Sequence, residues 1–71
     1  MITEKQKSLM KHCVSDNDRN LFHTDKGYDD ANNFDQLVEM GYATEEPAPE
    51  WMGGGVIYRL TDAGKRIITS A

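Results

Sequence analysis

The sequence lacks the features that mark a membrane, secreted or metal-binding protein. It has one cysteine in 71 residues, so no disulfide can form within the chain, which fits a reducing cytoplasm. No apolar run approaches the ~18 residues of a membrane span, and no charged-then-apolar leader is present. We therefore expect one small domain over residues 1–71 that lies in the cytoplasm and does not contact a membrane. Because its core must be thin, homodimerisation stays open.

Basic residues are scarce in the middle of the chain. Residues 1–13 carry a balance of +2 and residues 51–71 again +2, but residues 14–50 set ten acids against two bases, a balance of −8. Such a segment projects a negative field that attracts basic surfaces and repels phosphates. It is equally read as a solvated acidic face that serves solubility.

Three helices are predicted from caps and apolar spacing. Thr3 and Gln6 form a capping box before a first helix with an inner stripe. A second helix, capped by Asp29 or Asp30, ends before Gly41, a residue suited to a left-handed position. Thr61 caps the last helix, residues 62–70. The stripes are Ile2, Leu9, Met10, Cys13 and Val14; Ala31, Phe34, Leu37 and Val38; and Ala63, Gly64, Ile67 and Ile68. Gly64 indicates a close backbone approach.

Two strands are predicted to pair as an antiparallel hairpin. Residues 42–44 form one strand and residues 56–60 the other, whose alternation turns Val56, Tyr58 and Leu60 one way, with Tyr58 and Leu60 towards the first and third helices. Two prolines should keep residues 45–50 out of regular pairing, and glycines 53–55 indicate a flexible tip. Residues 21–24 favour a further short extended piece. Arg19 is expected to pair locally with Asp16 or Asp18.

The stretch LVEMGYAT…VIYRLTDAGKRI (37–67) resembles the C-terminal half of winged-helix domains. There, a helix ending in glycine leads into a two-strand wing, and a Y-x-L-T-x-x-G-type turn opens the closing helix. The resemblance implies an α+β fold, a small winged-helix-like domain of three helices with a two- or three-stranded antiparallel β-hairpin wing. The whole chain also resembles small accessory proteins encoded by phages and prophages, which implies the host cell cytoplasm as its location.

The sequence departs from DNA-binding winged helices at two points. Residues 15–28 are rich in Asp, Asn and Gly, so the helix that would complete a helix-turn-helix is degenerate or only a turn. The would-be recognition helix, residues 30–40, turns out Asn32, Asp35, Gln36 and Glu39 and carries no Lys or Arg to neutralise phosphates. Duplex binding is therefore disfavoured and is kept as the alternative function.

Trp51 lies in an acidic, proline- and glycine-rich loop and has two interpretations. It can fold back as a lid over the sheet or first helix and supplement the core. Alternatively, Trp51 and Met52 form an apolar anchor for a partner, ringed by Glu45, Glu46 and Glu50.

Catalytic and metal-binding patterns are weak. His12, Cys13 and His23 are too few for a structural zinc site, and Cys13 lies on an apolar stripe where cysteine acts as a small hydrophobe. The three glycines lack the Lys and Ser/Thr of a phosphate-binding loop. We therefore expect neither an enzyme, nor a cofactor, nor a metal.

The leading prediction is a non-enzymatic, phage-type protein-binding module. It would engage a partner with a basic surface, such as a host nucleic-acid-handling or defence complex, as small phage anti-CRISPR proteins do. A DNA-binding transcriptional regulator is the alternative, and a structural role in the virion a third class. The predicted partner-binding residues are Asp29, Asp30, Asn32, Asp35, Gln36, Glu39, Glu45, Glu46, Glu50, Trp51 and Met52.

Overall fold

A computed structural model describes residues 2–14 and 20–69. Within them the chain forms three α-helices, three strands and one short 3₁₀ turn. The helices are α1 (Glu4–Cys13), α2 (Asp29–Glu39) and α3 (Asp62–Thr69). The strands are β1 (Phe22–Thr24), β2 (Ala43–Pro47) and β3 (Val56–Leu60), and the 3₁₀ turn is Glu50–Met52. The protein is thus a small α+β domain with a three-stranded antiparallel sheet.

The start of α1 confirms the predicted capping box. The Gln6 amide donates to Thr3 Oγ1 (3.1 Å), and the Thr3 amide donates to Gln6 Oε1 (3.0 Å). Two backbone donors at the helix start are thereby satisfied. Leu9, Met10 and Cys13 of the predicted stripe are buried, and Ile2 and Val14 pack against them half-buried.

The ends of α2 differ in how well the sequence predicted them. The N-cap residue is Tyr28, without a side-chain cap, so the expectation of Asp29 or Asp30 as the cap was wrong. Both acids lie inside the first turn, where the positive end of the helix dipole favours them. At the other end Gly41 has a φ of +84°, and the Gly41 and Tyr42 amides donate to the Val38 and Leu37 carbonyls. This Schellman motif confirms the predicted glycine stop.

The strand order is β1-β3-β2, with both pairs antiparallel. The predicted hairpin of β2 and β3 is confirmed, but β2 runs on through Glu45, Glu46 and Pro47, which were expected to stay unpaired. Pro47 is tolerated because β2 is an edge strand, where a missing amide hydrogen need not break a ladder. The extension places Glu45 opposite Tyr58 and Glu46 opposite Ile57.

Beyond the start of β1, the side chain of Asn20 continues the hydrogen bonding to β3. The Leu60 amide donates to Asn20 Oδ1 (2.8 Å), and Asn20 Nδ2 donates to the Leu60 carbonyl (3.0 Å). The Asn20 amide group therefore satisfies the backbone of Leu60 as a neighbouring strand would. The predicted extended piece near 21–24 is confirmed as β1, which is the second edge of the sheet.

The centre of the core is a column of three aromatic rings. Phe34 of α2 lies between Phe22 and Tyr58, with ring centroids 4.8 Å and 4.9 Å away. Tyr58 was expected to face the first and third helices; its ring instead stacks on α2, the one helix that supplies an aromatic residue to the core. Ile57, on the opposite face of β3, is also buried, so the alternation in β3 is incomplete.

Helix α3 docks on the turn between α2 and β2. The Gly64 amide donates to Thr61 Oγ1 (3.2 Å), which confirms Thr61 as the cap, and the Thr61 hydroxyl donates to the Gly41 carbonyl (2.7 Å). A Cβ on Gly64 would collide with the carbonyl oxygen of Tyr42, so the predicted close approach is confirmed. Ala63 was predicted to face inward but is exposed; Gly64 is buried, and Ile67 and Ile68 make the contact with the core.

The segment between α1 and α2 contains no helix in its described part. Residues 20–28 form β1 and a turn of four residues before α2. The rest of the predicted degenerate segment, together with the expected pairing of Arg19 with Asp16 or Asp18, lies outside the described residues. The last residues of the predicted third helix, from 70 onward, do so too.

Candidate functional site

The exposed face of α2 is less free than the sequence indicated. Asn32, Gln36 and Glu39 are exposed. Gln36, however, accepts a hydrogen bond on Oε1 from Nε2 of the buried Gln6 (2.7 Å), which ties α2 to α1. Asp35 is half-buried and engaged in a polar cluster at the edge of the sheet. Only part of the predicted surface on this helix is therefore available to a partner.

That cluster joins α2, the turn before it and the sheet. Asp35 Oδ1 lies 2.7 Å from the Tyr58 hydroxyl and Glu45 Oε2 lies 3.1 Å from it. Lys26 Nζ contacts both carboxylates, at 2.8 Å from Asp35, and lies 5.8 Å from the centre of the Tyr58 ring. The Tyr58 hydroxyl has one hydrogen and therefore donates to one carboxylate at a time. The Lys26 ammonium group contacts both carboxylates and so holds them close together.

The cluster shifts the pKa values of Tyr58, Lys26 and Asp35. Desolvation, followed by the hydrogen bond to Asp35, raises the pKa of the Tyr58 hydroxyl. Hydrogen bonds to Asp35 and Glu45 raise the pKa of the Lys26 ammonium group. Desolvation raises the pKa of the Asp35 carboxyl, but hydrogen bonds from Lys26 and Tyr58 outweigh it, so that this pKa lies below its ordinary value. At neutral pH the Tyr58 phenol is therefore neutral, the Lys26 ammonium group is charged and Asp35 is a carboxylate.

Three more of the acids predicted to bind a partner form ion pairs within the domain. Lys5 Nζ lies 3.7 Å from a carboxylate oxygen of Asp29 and of Asp30, and Arg59 Nε lies 2.6 Å from Glu46 Oε1. Exposed pairs of this kind add little stability but lower the local negative charge. The described part of residues 14–50 therefore presents a weaker negative field than its composition indicates.

Trp51 is 84% exposed at the tip of the hairpin. The interpretation in which it covers the core was therefore wrong, and Met52 beside it is only half-buried. Glu50 is exposed on the same 3₁₀ turn. Glu45 and Glu46 contact cations on opposite faces of the sheet, so they do not both line a ring around Trp51.

The hairpin tip, residues 48–55, is held by its own backbone. The backbone amides of Met52 and Gly54 donate to the Pro49 carbonyl (3.0 and 3.3 Å), and the Ala48 amide donates to the Gly55 carbonyl (3.0 Å). Glycines 53–55 all have positive φ, between 76° and 89°, a conformation that suits glycine. The three glycines allow a hydrogen-bonded turn that presents Trp51.

The residues considered for metal binding lie in different surroundings. Cys13 is buried, with Sγ 3.6 Å from Asn20 Oδ1 and 3.7 Å from the Tyr58 carbonyl oxygen. His23 is exposed and donates to the Gly54 carbonyl (2.6 Å), whereas the ring of His12 packs edge-on against Phe22. Among the residues that the structure describes, no three His, Cys, Asp or Glu side chains form a group able to hold a metal ion.

Two features of the site were not predicted. Tyr28 is 62% exposed in the turn before α2, and Lys26 of the same turn holds the polar cluster together. The composition of residues 15–28 predicted a degenerate helix or a turn in this region, but the role of Lys26 depends on the register that sets Glu45 opposite Tyr58. That register could be predicted only if β2 was known to continue through Pro47.

Comparisons with protein-family models, curated proteins and solved structures find no match for this chain. Over residues 2–14 and 20–69, none of the helices combines the length and apolar character needed to cross a bilayer.

Proposed function

We propose that this protein is a non-enzymatic protein-binding module that inserts Trp51 into a partner. The observation that carries the proposal is an 84% exposed tryptophan on a hydrogen-bonded turn. Exposing a large aromatic ring to water costs hydrophobic stabilisation that burial would supply, and a soluble domain gains nothing from this on its own. Tryptophan is also among the residues most enriched at the energetic centres of protein interfaces.

The construction of the hairpin tip favours tight docking. A turn fixed by four backbone hydrogen bonds and one from His23 loses little conformational freedom when it binds. Less of the interaction energy is then spent on ordering the anchor. Met52 and Glu50 on either side add one apolar and one acidic contact.

The charge of the molecule sets the kind of partner. The net charge is −4, and α2 carries four acids and no base. A partner with a basic surface is therefore favoured, with α2 and the hairpin forming the contact. By analogy with small phage proteins, the target is a nucleic-acid-handling or defence complex in the host cytoplasm, whose nucleic-acid site the acidic module occupies.

We further propose that the fold is winged-helix-like. In support, α2 stops at a left-handed Gly41, a two-strand hairpin follows, and the LTDAG segment opens the closing helix, as the resemblance implies. A sequence-specific DNA-binding regulator is the function that such a fold most readily suggests. Against it, the turn between β1 and α2 leaves no room for a helix ahead of α2, and Asp35 and Gln36 already hydrogen-bond to side chains of the domain itself.

Affinity capture from host lysate with three matched baits tests the proposal. We expect wild type and Lys65→Ala, a change at an exposed residue on α3, to retain the same proteins, and Trp51→Ala to lose them. Circular dichroism of each bait checks that it is folded. Identical capture by all three baits would contradict the proposal, and recovery of DNA that nuclease removes would favour the regulator.

A further inference from the structure

The two most exposed large hydrophobic side chains among the described residues lie at one end of the molecule. Trp51 is 84% exposed and Tyr28 62% exposed. The last rung of the sheet at this end aligns Thr24, Val56 and Pro47. Beyond that rung, the chain leaves β1 through the turn 25–28 and joins β2 to β3 through the hairpin tip. We call these two turns, residues 25–28 and 48–55, the hairpin end.

The two turns of the hairpin end are held against each other. His23, the middle residue of β1, donates to the Gly54 carbonyl of the tip at 2.6 Å. A Cβ on Gly55 would lie 2.5 Å from both Asp25 Oδ1 and the Thr24 carbonyl oxygen, so the tip meets the first turn with no space for a side chain. The aromatic residues therefore stand on one connected support rather than on two independent loops.

The hairpin end is acidic as well as aromatic. Together with the first two residues of α2 it holds Asp25, Asp29, Asp30 and Glu50 against Lys26, a balance of −3, which Lys5 reduces to −2 through its contacts with Asp29 and Asp30. Aromatic faces attract guanidinium and ammonium groups, and carboxylates beside them strengthen that attraction. The same carboxylates repel nucleic-acid phosphates and anionic lipid headgroups.

We propose that Tyr28 and Trp51 form one docking surface, and that its occupant is an arginine- or lysine-bearing segment of a partner protein. This inference rests on the proposed function and narrows it. The contact is the hairpin end and the start of α2, while the C-terminal half of α2, including Glu39, lies outside it. The cationic side chains of the segment lie over the two rings, and the nearby carboxylates pair with them.

Binding of a fluorescently labelled nona-arginine peptide, measured by anisotropy at low ionic strength, tests this surface. Two charge reversals are matched, because Glu50→Lys and Glu39→Lys each change the net charge from −4 to −2. Glu50 lies on the tip and Glu39 at the far end of α2. We expect Glu50→Lys to weaken binding several-fold more than Glu39→Lys.

The aromatic residues are tested with the same peptide. Tyr28→Ala and Trp51→Ala should each weaken binding about two- to fivefold, the range of an exposed cation–π contact, and Trp51→Phe should recover part of the loss. A labelled nona-glutamate peptide should not bind. Circular dichroism of every variant checks the fold.

The outcomes separate this inference from the proposed function. Equal weakening by the two reversals, no effect of the aromatic changes, or no binding of the peptide to wild type would each overturn the hairpin-end surface. If Trp51→Ala loses the proteins captured from lysate while Tyr28→Ala keeps them, only the narrower inference fails. If Trp51→Ala keeps them, the proposed function itself fails.

Discussion

Tyr58 belongs at once to the core and to the polar edge of the sheet. Its ring stacks on Phe34, and its hydroxyl reaches two carboxylates that a single lysine holds together. Burying a phenol costs free energy unless its hydroxyl is hydrogen-bonded, so the cluster offsets the cost of placing a tyrosine in the centre of the domain. The same contacts fix α2 on the sheet.

Because Asp35 has a lowered pKa in the folded state, its contribution to stability depends on pH. The contribution is fully present above the ordinary carboxyl value of 3.8 and is lost as the pH falls through the lower, folded-state value. We expect wild type to lose stability more steeply than Asp35→Asn as the pH falls from about 5 towards 2.

Urea unfolding at a series of pH values measures this difference. Glu39→Gln, which changes an exposed carboxylate at the end of the same helix, serves as the control and should keep the slope of wild type. Parallel pH profiles for wild type and Asp35→Asn would show that the Asp35 contacts do not stabilise the fold.

Leu60 tests how much one core side chain contributes in so small a domain. It is 5% exposed and lies on the inner face of β3. Leu60→Ala should lower the free energy of unfolding by about 2–5 kcal/mol, a large share of the total. Thr44→Ala, an exposed change on β2, should alter it by less than about 0.5 kcal/mol. A loss below about 1 kcal/mol for Leu60→Ala in denaturant titration would mean that the core tolerates the cavity.

At the scale of the elements, α3 is held by a contact between backbones. Gly64 lies against the Tyr42 carbonyl, so Gly64→Ala must displace the helix, although alanine favours a helix by about 1 kcal/mol over glycine. We expect a net destabilisation of about 1–3 kcal/mol, as for an overpacked core.

Thermal unfolding of Gly64→Ala beside Lys65→Ala separates packing from helix propensity. Lys65 is exposed on the same helix, and Lys65→Ala should change the midpoint of thermal unfolding little, since lysine and alanine have similar helix propensities. A more stable Gly64→Ala would mean that α3 can move away from Tyr42 without loss.

The elements that the sequence predicted well are those with local signals. The Thr3–Gln6 capping box and the glycine stop at Gly41 each depend on residues within a few positions. The close approach at Gly64 is made with the distant Tyr42, but a glycine inside a helix is itself a local signal for it. The length of β2, the role of Lys26 and the position of Trp51 depend on the register between distant segments. In particular, Pro47 indicated the end of a strand, although an edge position allows it to remain paired.

Over the whole molecule, charge argues against DNA as the partner. Among the described residues, α2 carries no cation, and its would-be reading residues include acids. We expect no specific duplex binding at physiological salt, because phosphate neutralisation supplies most of the affinity of such complexes. Fluorescence anisotropy with a panel of labelled duplexes measures this. Submicromolar binding that weakens steeply with salt would favour the regulator instead.

The strand order also determines when this protein can fold during its synthesis. The central strand, β3, comes after both of its neighbours in the chain, and it supplies the ring on which Phe34 stacks. Until the ribosome has released Leu60, α1, α2 and the two edge strands have no sheet to cover their apolar faces. We therefore expect the nascent chain to form its core only after β3 has left the ribosome, when all three strands can pair.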